Sequence, residues 1–436
     1  MNAIDLLFAS LLAASVPVVV GYYLKRPGFS TAFRSKVILG GVLWVLYCLV
    51  SDQLLYLIFG TRADAGGHEY VAMSMAETMR AGDWDKIREY LRPGNQIYHA
   101  YVALVFYLTG ATVLTINIIN GYLAFLGGLV LARHFRGCWM DFWGGKLPGG
   151  RLSGLFNIRK NAWLFLLIIF FPSVIFWTSA NLKEGMMYWA ICTVFSRIRP
   201  AMGGVWGFFS PSAVIAVTVG GLLRPHVMVA WAVAVASVGL FQRGSRSYAL
   251  LILISLPLLA SSFRVQTDVD LMAGQGLSYA YGHLATLAQY KAGSDVEFEG
   301  GKPIFFLSGV VATFFRPFPW NVHSFRMAFS SVETWLTTLL MISIWIRMKG
   351  FERLSMLKMP EIRVALVACV LFCIFLSFLP NDGLMVRQRV QVVPALLALL
   401  VLPYLKRDVG RQRVRIEKLL EWLPYLPRNG KARSAV

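Results

Sequence analysis

Apolar runs of bilayer-spanning length recur along nearly the whole chain, and they limit its fold more than any other feature. A helix needs roughly 17–25 apolar residues to cross the hydrocarbon layer. Such runs lie near residues 4–22, 37–59, 162–179, 225–241, 331–348, 363–379 and 390–404. Shorter ones lie near 111–132, 185–197, 206–222 and 247–262. In lipid every backbone N–H and C=O must find a partner within the protein, and these runs lack the two-residue alternation of barrel strands. The sequence therefore predicts an all-α polytopic membrane protein with about eleven transmembrane helices. Hydrophobic residues at 57% and charged residues at 15% agree, since soluble domains carry roughly 25% charge.

The formal net charge of +20 does not point to nucleic acid. Lys and Arg concentrate in connections between the runs, at 25–36, 133–160, 197–199, 243–246 and 347–363, and in the tail from Lys406. Basic connections stay on the cytoplasmic side, which predicts an outward N-terminus and a cytoplasmic C-terminus. No basic residue precedes the first run, so the N-terminus does not read as a cleavable signal. Cys48, Cys192, Cys369 and Cys373 fall within apolar runs and Cys138 in a basic connection, with no metal-ligand spacing. Residues 1–404 read as one transmembrane domain with outer loops at 60–96 and 261–330, and 405–436 as a basic cytoplasmic tail. Leu419, Leu420, Trp422 and Leu423 suit an amphipathic helix on an anionic leaflet, and equally a plain positive-inside tail. Segments 97–110 and 303–318 read as interfacial or re-entrant.

On this topology the polar residues with chemical potential gather at the outer ends of the runs. The first outer loop opens Asp64-Ala65-Gly66-Gly67-His68-Glu69-Tyr70, ahead of an amphipathic stretch from Met73 to Glu89. Its acids suit either a general base or a divalent-ion ligand. Lys183-Glu184 joins two apolar runs, an expensive place for charge unless it is paired or faces a cavity. Arg224-Pro225-His226, Arg316-Pro317-Phe318-Pro319-Trp320 and Arg387-Gln388-Arg389 complete the set. Guanidinium forks match phosphate oxygens, so a lipid-borne phosphate is a fitting ligand. An acid would deprotonate an acceptor hydroxyl, and the cations would stabilise the departing phosphate.

The acid-bearing first loop, the Phe171-Pro172-Ser173 to Lys183-Glu184 stretch, the Arg316-Pro317-Phe318-Pro319-Trp320 stretch and the Arg387/Arg389 pair together resemble bacterial GT-C-type membrane glycosyltransferases. The likeness runs over residues 37–404 and is nearest to enzymes of surface-polysaccharide assembly, including Wzy-like polymerases. It implies a polyprenyl-phosphate or polyprenyl-diphosphate sugar donor, chemistry on the periplasmic face and a place in the bacterial inner membrane. It makes Glu69 or Asp64 the catalytic acid position. His68, Tyr70, Lys183, Glu184, Arg224, His226, Arg316, Arg387 and Arg389 then form the substrate site. Partners implied are the lipid-linked donor, membrane lipids and other polysaccharide-assembly proteins. A divalent metal ion is left open, because the acids are not adjacent as in the usual family signature. Two other readings also stay open: a flippase or transporter of lipid-linked saccharides, and a non-catalytic membrane subunit of an export complex.

Overall fold

The computed structural model describes residues 2–25, 29–59, 64–91, 94–110, 112–142, 161–202, 205–243, 314–322, 325–377 and 382–422. Among them every regular element is helical. The first part comprises α1 (Ala3–Leu24), α2 (Thr31–Phe59), α3 (Asp64–Arg80), α4 (Trp84–Tyr90), α5 (Asn95–Thr109) and α6 (Val113–Phe142). It continues with α7 (Ala162–Ile169), α8 (Pro172–Thr178), α9 (Glu184–Ser196), α10 (Ile198–Met202), α11 (Pro211–Leu223) and α12 (Pro225–Arg243). The last part holds α13 (Phe325–Ile346), α14 (Gly350–Leu357), α15 (Pro360–Ser377), α16 (Asp382–Arg389) and α17 (Val393–Trp422).

Four helical segments among the described residues are long and apolar enough to cross a bilayer: Ala3–Leu24, Thr31–Ser51, Val113–Phe142 and Met327–Ile346. Ala162–Thr178 (α7 with α8), Pro211–Leu223 and Pro225–Phe241 are shorter apolar helical stretches. The run near 247–262, the outer loop at 261–303 and most of 303–318 lie outside the described residues.

The central element is α6, which packs against α1, α2, α7, α8, α9 and α17. Two-thirds of its apolar window is buried (67%), against 22% for α1 at the periphery. Small residues let its neighbours approach closely, as helix association in lipid favours. A Cβ on Gly128 would sit 2.9 Å from the Ile169 carbonyl oxygen, and one on Gly185 of α9 would run into the Asn120 backbone. At the N-terminus, the Asp5 carboxylate closes a capping box with Asn2. It also accepts hydrogen bonds from the Thr112 amide (3.1 Å) and the Thr115 hydroxyl (2.8 Å). Asp5 thereby ties α1 to the start of α6.

Two expectations change on contact with the structure. The run at 162–179 is two half-helices. Pro172 has no N–H to continue α7 and drives Phe171 into extended backbone (φ −64°, ψ 125°). The outer loop at 60–96 is largely helical from Asp64, and its amphipathic stretch breaks at Gly82, whose φ of 77° suits glycine. Asp83 then caps α4 through the Lys86 amide. α17 runs unbroken from Val393 to Trp422, carrying the start of the basic tail on the same helix and burying Leu405 and Val409.

Within α17, Pro403 cannot donate to the carbonyl of Leu399 one turn back. The Trp345 indole of α13 donates to that carbonyl instead, at 2.8 Å. The missing intrahelical bond is thus replaced by an interhelical one.

Candidate functional site

The irregular segment Ser179–Lys183, between α8 and α9, is the frame of the site. Non-helical backbone deep in a membrane protein persists only where protein satisfies its polar groups. The Ser51 hydroxyl donates to the Ser179 carbonyl, and the Trp44 indole donates to the Ser179 hydroxyl at 2.9 Å. The Asn120 amide donates to the carbonyls of Ala180 (3.2 Å) and Leu182 (2.9 Å) and to the Tyr98 hydroxyl (3.0 Å). Tyr98 in turn donates to the Asn181 side chain at 2.9 Å, and Asn181 reaches the Ala65 carbonyl at 3.3 Å. Tyr98, Asn120 and Asn181 are fully buried. None of the three is among the site residues expected from the sequence. A tyrosine and two asparagines carry no spacing signal, although Asn120 stands out as a polar residue within an apolar run.

This frame presents Lys183 and Glu184. Lys183 donates to the Asn95 side chain at 2.6 Å. Glu184 opens α9, where the positive end of the helix favours a carboxylate. Its Oε1 takes one bond from Arg224 Nη2 and one from Arg387 Nε, each 2.6 Å. Glu184 is fully buried and Arg224 nearly so. Arg224 sits at the single-residue break between α11 and α12, set by Pro225, and also donates to Gln388. His226, half-buried on the next turn, lies within electrostatic reach of Arg224 and Lys183.

The Arg387/Arg389 pair does not act as one clamp. Two residues along a helix turn by roughly 200°, so Arg387 faces Glu184 while Arg389 points the other way. Arg389 donates to the Thr334 hydroxyl and to the Arg316 carbonyl. Arg316 thus joins the structure through its backbone. Beside this contact Glu333 accepts from the Ser173 amide at 2.6 Å.

Above the frame lies the first helix of the former loop. On α3, His68 shares the inward face with Ala65, Ala72, Met75, Ala76 and Met79. Its Nδ1 meets His99 Nε2 at 2.7 Å, and its ring stands edge-on to Tyr98. Burial, and then the facing His99, hold the His68 pKa down to about 4, so the ring is neutral at pH 7. Arg387, Glu184 and Lys183 all lie within its electrostatic reach. Glu69, the next residue, is half-buried. Tyr70 is 76% exposed and is not part of the cluster; the helical turn carries it roughly 200° away from His68. Asp64 begins α3, and its side chain lies outside the described residues.

Two buried polar atoms of the cluster have no hydrogen-bond partner among the described residues: Nε2 of His68 and Oε2 of Glu184. Such atoms cost free energy unless a ligand or water meets them. A separate apolar cavity of about 310 Å³ lies between α9, α11 and α12, lined by Val194, Phe208, Val214, Val217, Met228 and Val235. No protein-family model, curated protein or solved structure matches the chain.

Proposed function

We propose that the chain is a membrane glycosyltransferase, or a polysaccharide polymerase of the same chemistry, using a polyprenyl-(di)phosphate sugar donor. The observation that carries this reading is the convergence of Arg224 and Arg387 on Glu184, with Lys183 within electrostatic reach, beside a neutral histidine with an unpartnered nitrogen. Guanidinium and ammonium groups suit a phosphate leaving group. A neutral imidazole beside them suits proton removal from an acceptor hydroxyl. In this reading His68 Nε2 or the Glu69 carboxylate takes the acceptor proton, with Asp64 as the reserve. Glu184 Oε2 accepts from a sugar hydroxyl, and Arg387 with Lys183 faces the phosphate. The apolar cavity shares α11 and α12 with Arg224 and has the character an isoprenoid chain requires. The outer loops belong on the periplasmic face of a bacterial inner membrane, and the product belongs to exopolysaccharide, capsule or O-antigen synthesis.

The test is genetic and chemical. His68→Gln, Glu69→Gln and Asp64→Asn, singly and together, keep size and hydrogen bonding while removing the base. Loss of a general base typically costs 10²–10⁴-fold in rate. At least one variant should insert and accumulate normally, lack surface glycan and build up lipid-linked donor on the outer leaflet. Build-up of donor on the inner leaflet would instead identify a flippase. Wild-type glycan from the triple variant would refute the proposal.

A further inference from the structure

At the far end of α6 from Asn120, a second polar cluster lies in the protein interior. Cys138 is eighteen residues beyond Asn120, roughly 27 Å at the helical rise. His134 and Cys138 are four residues apart on one face of α6, and Glu361 meets them from the first turn of α15. His134 Nε2 stands 3.8 Å from Cys138 Sγ and 3.5 Å from Glu361 Oε1, and Cys138 Sγ is 3.4 Å from that same oxygen. Cys138 and Glu361 are fully buried, and the His134 side chain is 8% exposed. Glu361 Oε2 has no hydrogen-bond partner among the described residues.

These separations match a particular coordination geometry. Zinc holds thiolate sulfur at roughly 2.3 Å and imidazole nitrogen or carboxylate oxygen at roughly 2.0–2.2 Å, in a tetrahedron. Neighbouring ligand atoms on such a tetrahedron lie roughly 3.3–3.6 Å apart, which follows from those bond lengths and the tetrahedral angle. The cluster already has nearly that spacing. The sequence concealed it because Glu361 is 223 positions from Cys138 and cysteine spacing alone carries no signal here. Cys138 also lies inside α6, not in a connecting loop.

We propose that His134, Cys138 and Glu361 form a binding site for zinc, or a divalent ion of similar preference, that pins α6 to α15. The fourth position would be filled by water, or by Asp141, three residues beyond Cys138, once its side chain leaves Arg199. In the metal-free arrangement Arg199 of α10 bridges Glu361 and Asp141. Its side chain is 32% exposed, so it can swing into water when a cation takes its place. Binding releases the Cys138 proton, since the thiolate is the ligand.

The experiment uses the purified full-length chain in detergent, loaded with zinc or cobalt(II) and freed of excess metal. About one zinc per chain is expected, and cobalt should give the thiolate charge-transfer and intense visible bands of a tetrahedral site. Cys138→Ser should abolish the charge-transfer band. His134→Gln should weaken zinc binding by more than the roughly 10–100-fold typical of a change outside the ligand set. Arg199→Gln, which removes the competing cation, should tighten binding. Cys192→Ser, a buried thiol on neighbouring α9, should change none of these readings. Should Cys138→Ser fail to accumulate, the histidine and arginine variants carry the test. Substoichiometric zinc in the wild type, no cobalt charge transfer, or weaker binding in Arg199→Gln would overturn the site and leave a plain ion-pair network.

Discussion

Replacing Glu184 by Gln tests whether the cation cluster is held by this one carboxylate. The substitution preserves shape and one acceptor oxygen but leaves Arg224 (2% exposed) and Arg387 (9%) without the charge that balances them. Removing one partner of a buried ion pair in a soluble protein costs about 3–5 kcal/mol. Helices separated within a membrane still find polar partners, which lowers the net value of such contacts. A loss of about 2–4 kcal/mol is therefore expected. The assay is reversible unfolding of purified protein in mixed micelles, run as a double-mutant cycle with Arg387→Gln. Glu184→Gln leaves both guanidiniums unbalanced, Arg387→Gln leaves Glu184 still paired with Arg224, and the double variant leaves only Arg224 unbalanced. The double variant should accordingly lose about 1–3 kcal/mol less than the sum of the singles. Additivity within about 0.5 kcal/mol would show that the two residues are not coupled and would refute the reasoning.

Other outcomes follow from the same geometry. His68 has a folded pKa of about 4 against an ordinary 6.5, so the unfolded chain binds the proton first as pH falls. Stability should be full above pH 6.5 and drop towards pH 4 by up to about 3 kcal/mol; His68→Gln should flatten that part of a melting-temperature profile, and an unchanged profile would count against burial of the ring. Gly185→Ala should cost about 1–3 kcal/mol by overpacking against the Asn120 backbone, whereas Gly67→Ala, with open space around it, should change stability by less than about 1 kcal/mol; equal effects would refute the close α6–α9 approach. A cysteine introduced at Asp83 should react with an impermeant thiol reagent in intact spheroplasts, and labelling only after lysis would reverse the topology and relocate the proposed chemistry.

Apolar run length anticipated that α1, α2, α6 and α13 contain helical segments long and apolar enough to cross a bilayer, because such a stretch in lipid has few structural solutions other than a helix. It could not register the break at Phe171–Pro172 as two half-helices, since that depends on which neighbours satisfy the exposed backbone. Charges at run ends marked Lys183, Glu184, Arg224, His226 and Arg387, and these do meet or lie within electrostatic reach of one another. The division of labour between Arg387 and Arg389 was hidden until helical phase was known, and the same phase removes Tyr70 from the group. Tyr98, Asn120 and Asn181 hold the frame through contacts 22–116 positions apart in sequence. No reading of local spacing reaches that far.

The bond from Trp345 to the Leu399 carbonyl has a kinematic consequence. A second attachment, from Arg389 at the end of α16 to Thr334, ties α13 to the segment that leads directly into α17, eleven residues away along α13, roughly 16 Å. Two rivets on one strut remove both sliding and swivelling, where a single one would leave a pivot. While both hold, α13 and the start of α17 have no independent degree of freedom, and a slip of one residue's rise would break the indole bond. Under the proposed function, entry and exit of the lipid-borne donor would then come from displacement of another wall. Spectroscopic distance probes placed on α3 or α11 should report that displacement, and a pair on α13 and α17 should stay still.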